Sequence, residues 1–132
     1  MKPLVIDTNV LIELFEHNYQ LPDMFRRYDR IHLPATVIGE YRAGITDSQQ
    51  GRMNSRKLAD YLKHETVDAV PITDATAEVY AKVFTALKAQ GRPIPQNDMW
   101  IAASALEHGA DILTYDEHFR AVPMLTVIIP EE

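Results

Sequence analysis

The chain of 132 residues contains no cysteine. That excludes disulfides and thiolate metal sites, and it suits a reducing compartment. No apolar run approaches the ~20 residues needed to cross a bilayer as a helix. The opening MKPLVIDTNV carries one basic residue and only a short apolar run before Asp7, so it does not read as a secretory signal. The expected location is the cytoplasm, with no membrane partner. Internal repeats, low-complexity segments and a break between domains are also missing. Positive charge is scarce: 13 Lys and Arg stand against 19 Asp and Glu, a net charge of -6. Such a balance argues mildly against nucleic-acid binding, although bound cations can reverse the local sign.

What is present suits one ordinary folded domain, with 46% hydrophobic residues. LVID (4–7) reads as a buried strand ending near Asp7. Thr8 or Asn9 is placed to cap a helix with Val10, Leu11, Leu14 and Phe15 on its apolar side. Pro22 opens a second short helix, and IHLP (31–34) reads as a second strand. Thr36 is the expected cap of TVIGEYRAG, which stops near Gly44. The polar stretch ITDSQQGRMNSR reads as a loop in which a helix running on through LADYLKH begins. VDAVPI (67–72), ADILTY (110–115) and MLTVII (124–129) read as strands. Between the first two lie a helix capped by Asp74 and stopped by Gly91, a rigid RPIP connector, and a helix capped by Asn97 or Asp98. A short helical turn follows Asp116. Strands alternating with helices imply an α/β fold: a central, mostly parallel sheet flanked by helices on both faces.

In such a sheet the C-terminal ends of strands and the N-termini of the following helices share one edge, where ligands bind. Asp7 and Asp116 follow two strands. Asp98 stands at a helix start, and Glu40 lies about one turn into the helix after the second strand. Each has a bland alternative, as an Asx turn, a helix cap or a solvated helix residue. Together they predict four converging carboxylates. Two like charges at ~4 Å repel by roughly 4 kcal/mol at an effective dielectric near 20. A divalent cation relieves this, and hard oxygen donors without thiolates select Mg2+ or Mn2+. That chemistry suits phosphodiester hydrolysis.

Other residues carry weaker signals. His17, His32, His64, His108 and His118 show no ligand-pair spacing and read as surface or core side chains. Trp100 lies beside Asp98 in sequence, but an apolar helix face suits it better than base stacking. Arg26, Arg27, Arg30, Arg42, Arg52, Arg56 and Lys57 could meet phosphates, yet any single one fits a solvated charged face better.

Three segments, IDTNVLIEL, TVIGEYRAG and NDMWIAASALEHGADILTYDEHF, occur in an order that resembles the PIN-domain family, and within it the VapC-type toxin nucleases. The late segment is the most specific; residues 45–70 match weakly. The resemblance spans nearly the whole chain, so 1–132 is expected to be one PIN domain. It places Asp7, Glu40, Asp98 and Asp116 at the four acidic positions, with Thr114 and Asn9 as supporting polar residues. It implies an endoribonuclease dependent on Mg2+ or Mn2+, the toxin of a type II toxin–antitoxin module. It also implies a homodimer that cuts RNA, often tRNA or rRNA, and is silenced by a cognate antitoxin. Asp7, Asp98 and Asp116 are then the metal ligands, and Glu40 either completes the coordination or acts on the attacking water. An RNA-processing nuclease without a toxin role, or an inactive binding module, stays open. A dehalogenase-like phosphatase would need a second Asp where Asn9 stands, and the paired early acids and late Lys of a receiver domain are not evident.

Overall fold

The computed structural model describes residues 1–16, 20–45 and 49–130, with only the backbone of Gln20. His17 lies outside the described residues. Five strands, β1 (Leu4–Ile6), β2 (Ile31–Pro34), β3 (Val67–Val70), β4 (Asp111–Leu113) and β5 (Val127–Ile128), form one sheet in the order β3-β2-β1-β4-β5. All four pairings are parallel. Six α-helices accompany them among the described residues: α1 (Thr8–Glu16), α2 (Gln20–Phe25), α3 (Ala35–Gly44), α4 (Gln49–Leu62), α5 (Asp74–Gln90) and α6 (Gln96–Glu107). A 3-10 helix spans Glu117–Ala121.

The central strands are short because they need only fill the core. Leu4, Val5, Ile6, Leu33, Ile112 and Leu113 are fully buried. A parallel sheet covered on both faces accounts for such unbroken apolar runs. Each such side chain contributes roughly 1.5–3 kcal/mol through burial. Chain order carries β1 to β2 and β3 in one direction, then back to β4 and β5 in the other. Right-handed crossovers therefore put the two groups of helices on opposite faces, and the direction switches between β1 and β4.

The strands end sooner than their sequence patterns suggest. Pro71 follows β3 and cannot extend its ladder through an N–H. Met124 adopts φ 68, so the chain is still turning before β5. Helix α4 starts at Gln49, inside the stretch that reads as a loop, because its residues favour helix although they are polar. Only Gly51 and Leu58 of α4 are buried.

Helix starts also differ from expectation. Asp7 and not Thr8 or Asn9 closes the start of α1: its carbonyl accepts from Val10 and Leu11, and its Oδ1 accepts from the Thr8 N–H. Pro34 and Pro95 precede α3 and α6, and Thr73 precedes α5, in place of Thr36, Asn97 or Asp98, and Asp74. A proline has its φ already set and gives up no needed donor at that point. Asp98 is thereby the third residue of α6 and is released from capping. Gly91 ends α5 at φ 63, the left-handed conformation expected of it.

Replacing Ile6 by Ala in the fully buried β1 should cost about 2–5 kcal/mol. Urea unfolding checks this. The midpoint should fall with an unchanged slope, and a wild-type midpoint would contradict the core placed at β1.

Candidate metal and catalytic site

The sheet's switch point brings the acids to one edge. Asp7 leaves β1, Asp116 follows β4 by three residues, Asp98 sits in the first turn of α6, and Glu40 lies in α3. The parallel register sets Ile6 beside Leu113, and the Asp7 N–H donates to the Leu113 carbonyl. That pairing fixes the two strand ends side by side.

Asp7 is 4% exposed, yet both its oxygens have donors. Oδ1 accepts from the Thr8 N–H at 2.8 Å, and Oδ2 accepts from Thr114 Oγ1 at 2.6 Å. Thr114 is fully buried, and its hydroxyl oxygen also accepts the Asp116 N–H at 3.0 Å. One hydroxyl thus links the first acid to the last. Asn9 acts on the same segment: its Oδ1 accepts the Tyr115 N–H at 3.4 Å.

Asp98 is 8% exposed. Its Oδ2 lies 2.7 Å from His118 Nε2, while His118 Nδ1 lies 3.1 Å from Asp116 Oδ1. The imidazole therefore stands between two acids. Both contacts are hydrogen bonds when two protons lie among the three groups: on both ring nitrogens, on Nδ1 and Asp98, or on Nε2 and Asp116. His118 is the residue that spacing alone missed. Its partners are 20 positions and two positions away, and only the 3-10 helix joins them. Thr8 and Asn97 were missed for a similar reason. Thr8 Oγ1 donates to Glu40 Oε1 at 3.0 Å, and Asn97 Nδ2 donates to Oε2 at 2.8 Å.

The remaining residues sit elsewhere. Arg30 is bound to Asp68 and to the Glu65 carbonyl, so it serves the sheet and not a phosphate. Arg26 faces Asp23 at 3.6 Å, and Lys57 donates to the Phe15 carbonyl. Trp100 stacks on Tyr80 with ring centroids 4.0 Å apart, joining α5 to α6. His32 and His108 meet edge to face, and His64 contacts Thr66.

Charge crowding shows in the acids themselves. Burial holds the Asp7 carboxyl above its usual range; the Thr114 and Thr8 hydrogen bonds pull against this, and Glu40 and Asp116 add to it. Burial, then the Asp7 charge, pushes Asp98 up to about 6, against the pull of His118. Asp98, Asp116 and His118 offer ligand atoms within 4.8 Å of one another. Two carboxylates and an imidazole, with no thiolate, offer donors that fit a divalent cation; Asp7 is not one of these three. Glu40 adjoins a cavity of about 220 Å³ lined by Ile12, Phe15, Tyr41, Ile45, Gln50 and Asn54.

The PIN domain family model matches residues 4–125. This chain belongs to the PIN domain family. It is 32% identical over 122 residues to Ribonuclease VapC4 of Mycobacterium tuberculosis, spanning 92% of each chain. It is 28% identical over 118 residues to Ribonuclease VapC5 of the same organism, spanning 89% of this chain and 86% of that one. VapBC-1 from nontypeable Haemophilus influenzae has a similar fold, with a TM-score of 0.82 at 26% identity over 96% of this chain and 97% of that one. VapBC2 from Rickettsia felis, solved with a promoter DNA fragment, gives 0.84 at 21% identity, covering 98% and 99%. No described helix is long and apolar enough to cross a membrane.

The raised Asp98 has a consequence for stability. The folded chain holds this proton more tightly than the unfolded chain. Without a cation, the Asp98 contribution to folding stability should fall as pH rises from 3.8 to about 6 and level off above. Asp98→Asn keeps an acceptor for His118 and removes the charge. In chelator at pH 7 it should melt above wild type, by roughly 3–6 °C for each kcal/mol gained. Its stability should also fall less across that window. Calorimetry in EDTA checks both, and an equal or lower melting temperature would contradict the crowding.

Proposed function

We propose that this PIN domain, taken as residues 1–132, is an endoribonuclease using Mg2+ or Mn2+, the toxin of a VapBC-like type II toxin–antitoxin module. The convergence of Asp7, Glu40, Asp98 and Asp116 at the switch point is the observation that carries this reading. Similarity to proteins named Ribonuclease VapC supports the RNA substrate, and similarity to VapBC structures supports a cognate antitoxin.

In this reading Asp7, Asp98 and Asp116 hold the cation, with His118 against the last two. A divalent cation bound there supplies positive charge to the scissile phosphate and makes water a stronger acid. Thr114 holds Asp7 and the Asp116 backbone in a fixed relation, a supporting contact of the kind that orients metal ligands. Asn9 keeps the segment after β4 against α1. Glu40 either completes the coordination or receives the proton of the attacking water at a carboxylate oxygen. RNA is recognised through phosphates and single-stranded segments, with tRNA or rRNA as expected targets. The protein acts in the cytoplasm as a homodimer. The cavity beside Glu40 suits an antitoxin side chain, since its wall combines apolar residues with an acid.

Induced expression of wild type and of Asp98→Asn tests the reading. Wild type should arrest growth and generate new RNA ends, and purified protein should lose cleavage in EDTA and regain it with Mn2+. Asp98→Asn should lose at least about 100-fold in cleavage rate, the scale expected when a group acting at the transition state is removed. Equal arrest by the two proteins would reject it.

A further inference from the structure

Glu40 differs from the other acids in having a side-chain donor on each oxygen from a residue other than histidine. Its two oxygens accept from two uncharged donors, the Thr8 hydroxyl and the Asn97 amide. These donors come from the first turns of α1 and α6, while Glu40 belongs to α3. Each donor is also next in the chain to another acid: Thr8 follows Asp7, and Asn97 precedes Asp98. Thr8 serves two acids at once, its N–H to Asp7 and its hydroxyl to Glu40.

We propose that Thr8 and Asn97 are positioning residues that clamp Glu40 from both sides and set the reaction rate through it. The inference rests on the nuclease reading and extends it to two residues outside the acid set. A Glu side chain has three rotatable bonds before its carboxylate, so an untethered one samples many positions on a half-buried helix face. Two donors, one on each oxygen, fix both the place and the plane of the carboxylate. Each oxygen keeps a second lone pair, which can accept a proton from water. The donors are neutral, so they leave the carboxylate's negative charge in place. Asn97 is exposed, so its amide is held by this contact and not by burial.

The test compares Thr8→Val, Asn97→Ala and Thr8→Ser in the wild-type and Glu40→Gln backgrounds. The probes are a mixed-sequence single-stranded RNA, a bulk tRNA preparation and Mn2+ alone. Thr8→Val and Asn97→Ala should each lower kcat by about 10-fold, with KM within about twofold, since loss of a positioned group costs chemistry more than binding. Thr8→Ser keeps the hydroxyl and should stay within about threefold of wild type. In the Glu40→Gln background the same changes should add little, because residues acting as one unit are not additive. Mn2+ affinity and melting temperature should move little in either variant. NMR supplies a readout without substrate: the Asn97 side-chain amide resonance should shift on Glu40→Gln and on Thr8→Val. Rates that fall equally in both backgrounds, wild-type rates in both variants, or an Asn97 amide indifferent to Glu40 would each overturn the clamp. Wild-type protein that cleaves neither RNA would reject the nuclease reading, while the amide resonance still decides whether the contact exists.

Discussion

Repulsion among buried carboxylates is the constraint that orders the rest of this molecule. Burial raises the proton affinity of Asp7 and Asp98; Glu40 and Asp116 add to it at Asp7, and Asp7 and Asp116 add to it at Asp98. A fold that brings such groups together has to hold them by something other than opposite charges. Here the described hydrogen-bond partners of the acids are two threonine hydroxyls, an asparagine amide, the Thr8 backbone N–H and one histidine. Apart from the histidine, these donors orient a carboxylate without neutralising it. An arginine in the same places would pair with the acids and cancel the charge that draws a cation. Arg30 shows the contrast. It pairs with Asp68 at the β2–β3 side of the sheet, where charge neutralisation helps and no cation site is built.

The sheet supplies the rigidity this needs. β1 and β4 are fully buried neighbours in register, and Asp7 and Thr114 are the first residues beyond their ends. Their hydrogen bond connects positions 107 apart in sequence, yet it is set by adjacent strands and adds little conformational freedom of its own. The reversal of strand order between β1 and β4 opens the crevice there. The helices then deliver the other acids to its rim. α6 brings Asp98 in its first turn, where the helix dipole favours an anion. Thr76 ties the other end of α6 back to α5 by donating to Glu107 at 2.6 Å. The site's geometry is therefore a property of the sheet edge, with each side chain adding only its last few ångströms.

The fold class was legible because it rests on long-range patterning. Buried apolar runs alternating with helical periodicity admit few solutions other than a parallel α/β sheet. Local boundaries were less legible. The first turns of α4 are polar, so its start within the loop-like stretch had no marker, and prolines before α3 and α6 displaced the side chains that would ordinarily cap them. The four acids could be named because strand ends and helix starts have predictable places in such a sheet. Their partners could not. Glu40 and Thr8 are 32 residues apart and Glu40 and Asn97 are 57 apart, and no periodicity connects them. His118 lacked any sequence-level metal-ligand spacing, since its tie to Asp98 depends on how the 3-10 helix turns after Asp116.

The net charge of -6 has to be reconciled with the anionic substrate of the proposed function, and the acid cluster is the place to do it. Without a cation, the crevice repels a phosphate about as it repels its own carboxylates, at roughly 4 kcal/mol for a pair of charges ~4 Å apart. In the proposed reading, two positive charges added beside Asp98 and Asp116 would cancel those two carboxylates and weaken that repulsion for a group arriving from solvent. The ion that would relieve the crowding of the carboxylates would then also let a phosphate approach. Overall acidity is in this sense an aid to selectivity. In the proposed reading the chain's net negative charge opposes polyanions in general, and a bound cation would offset it at this edge.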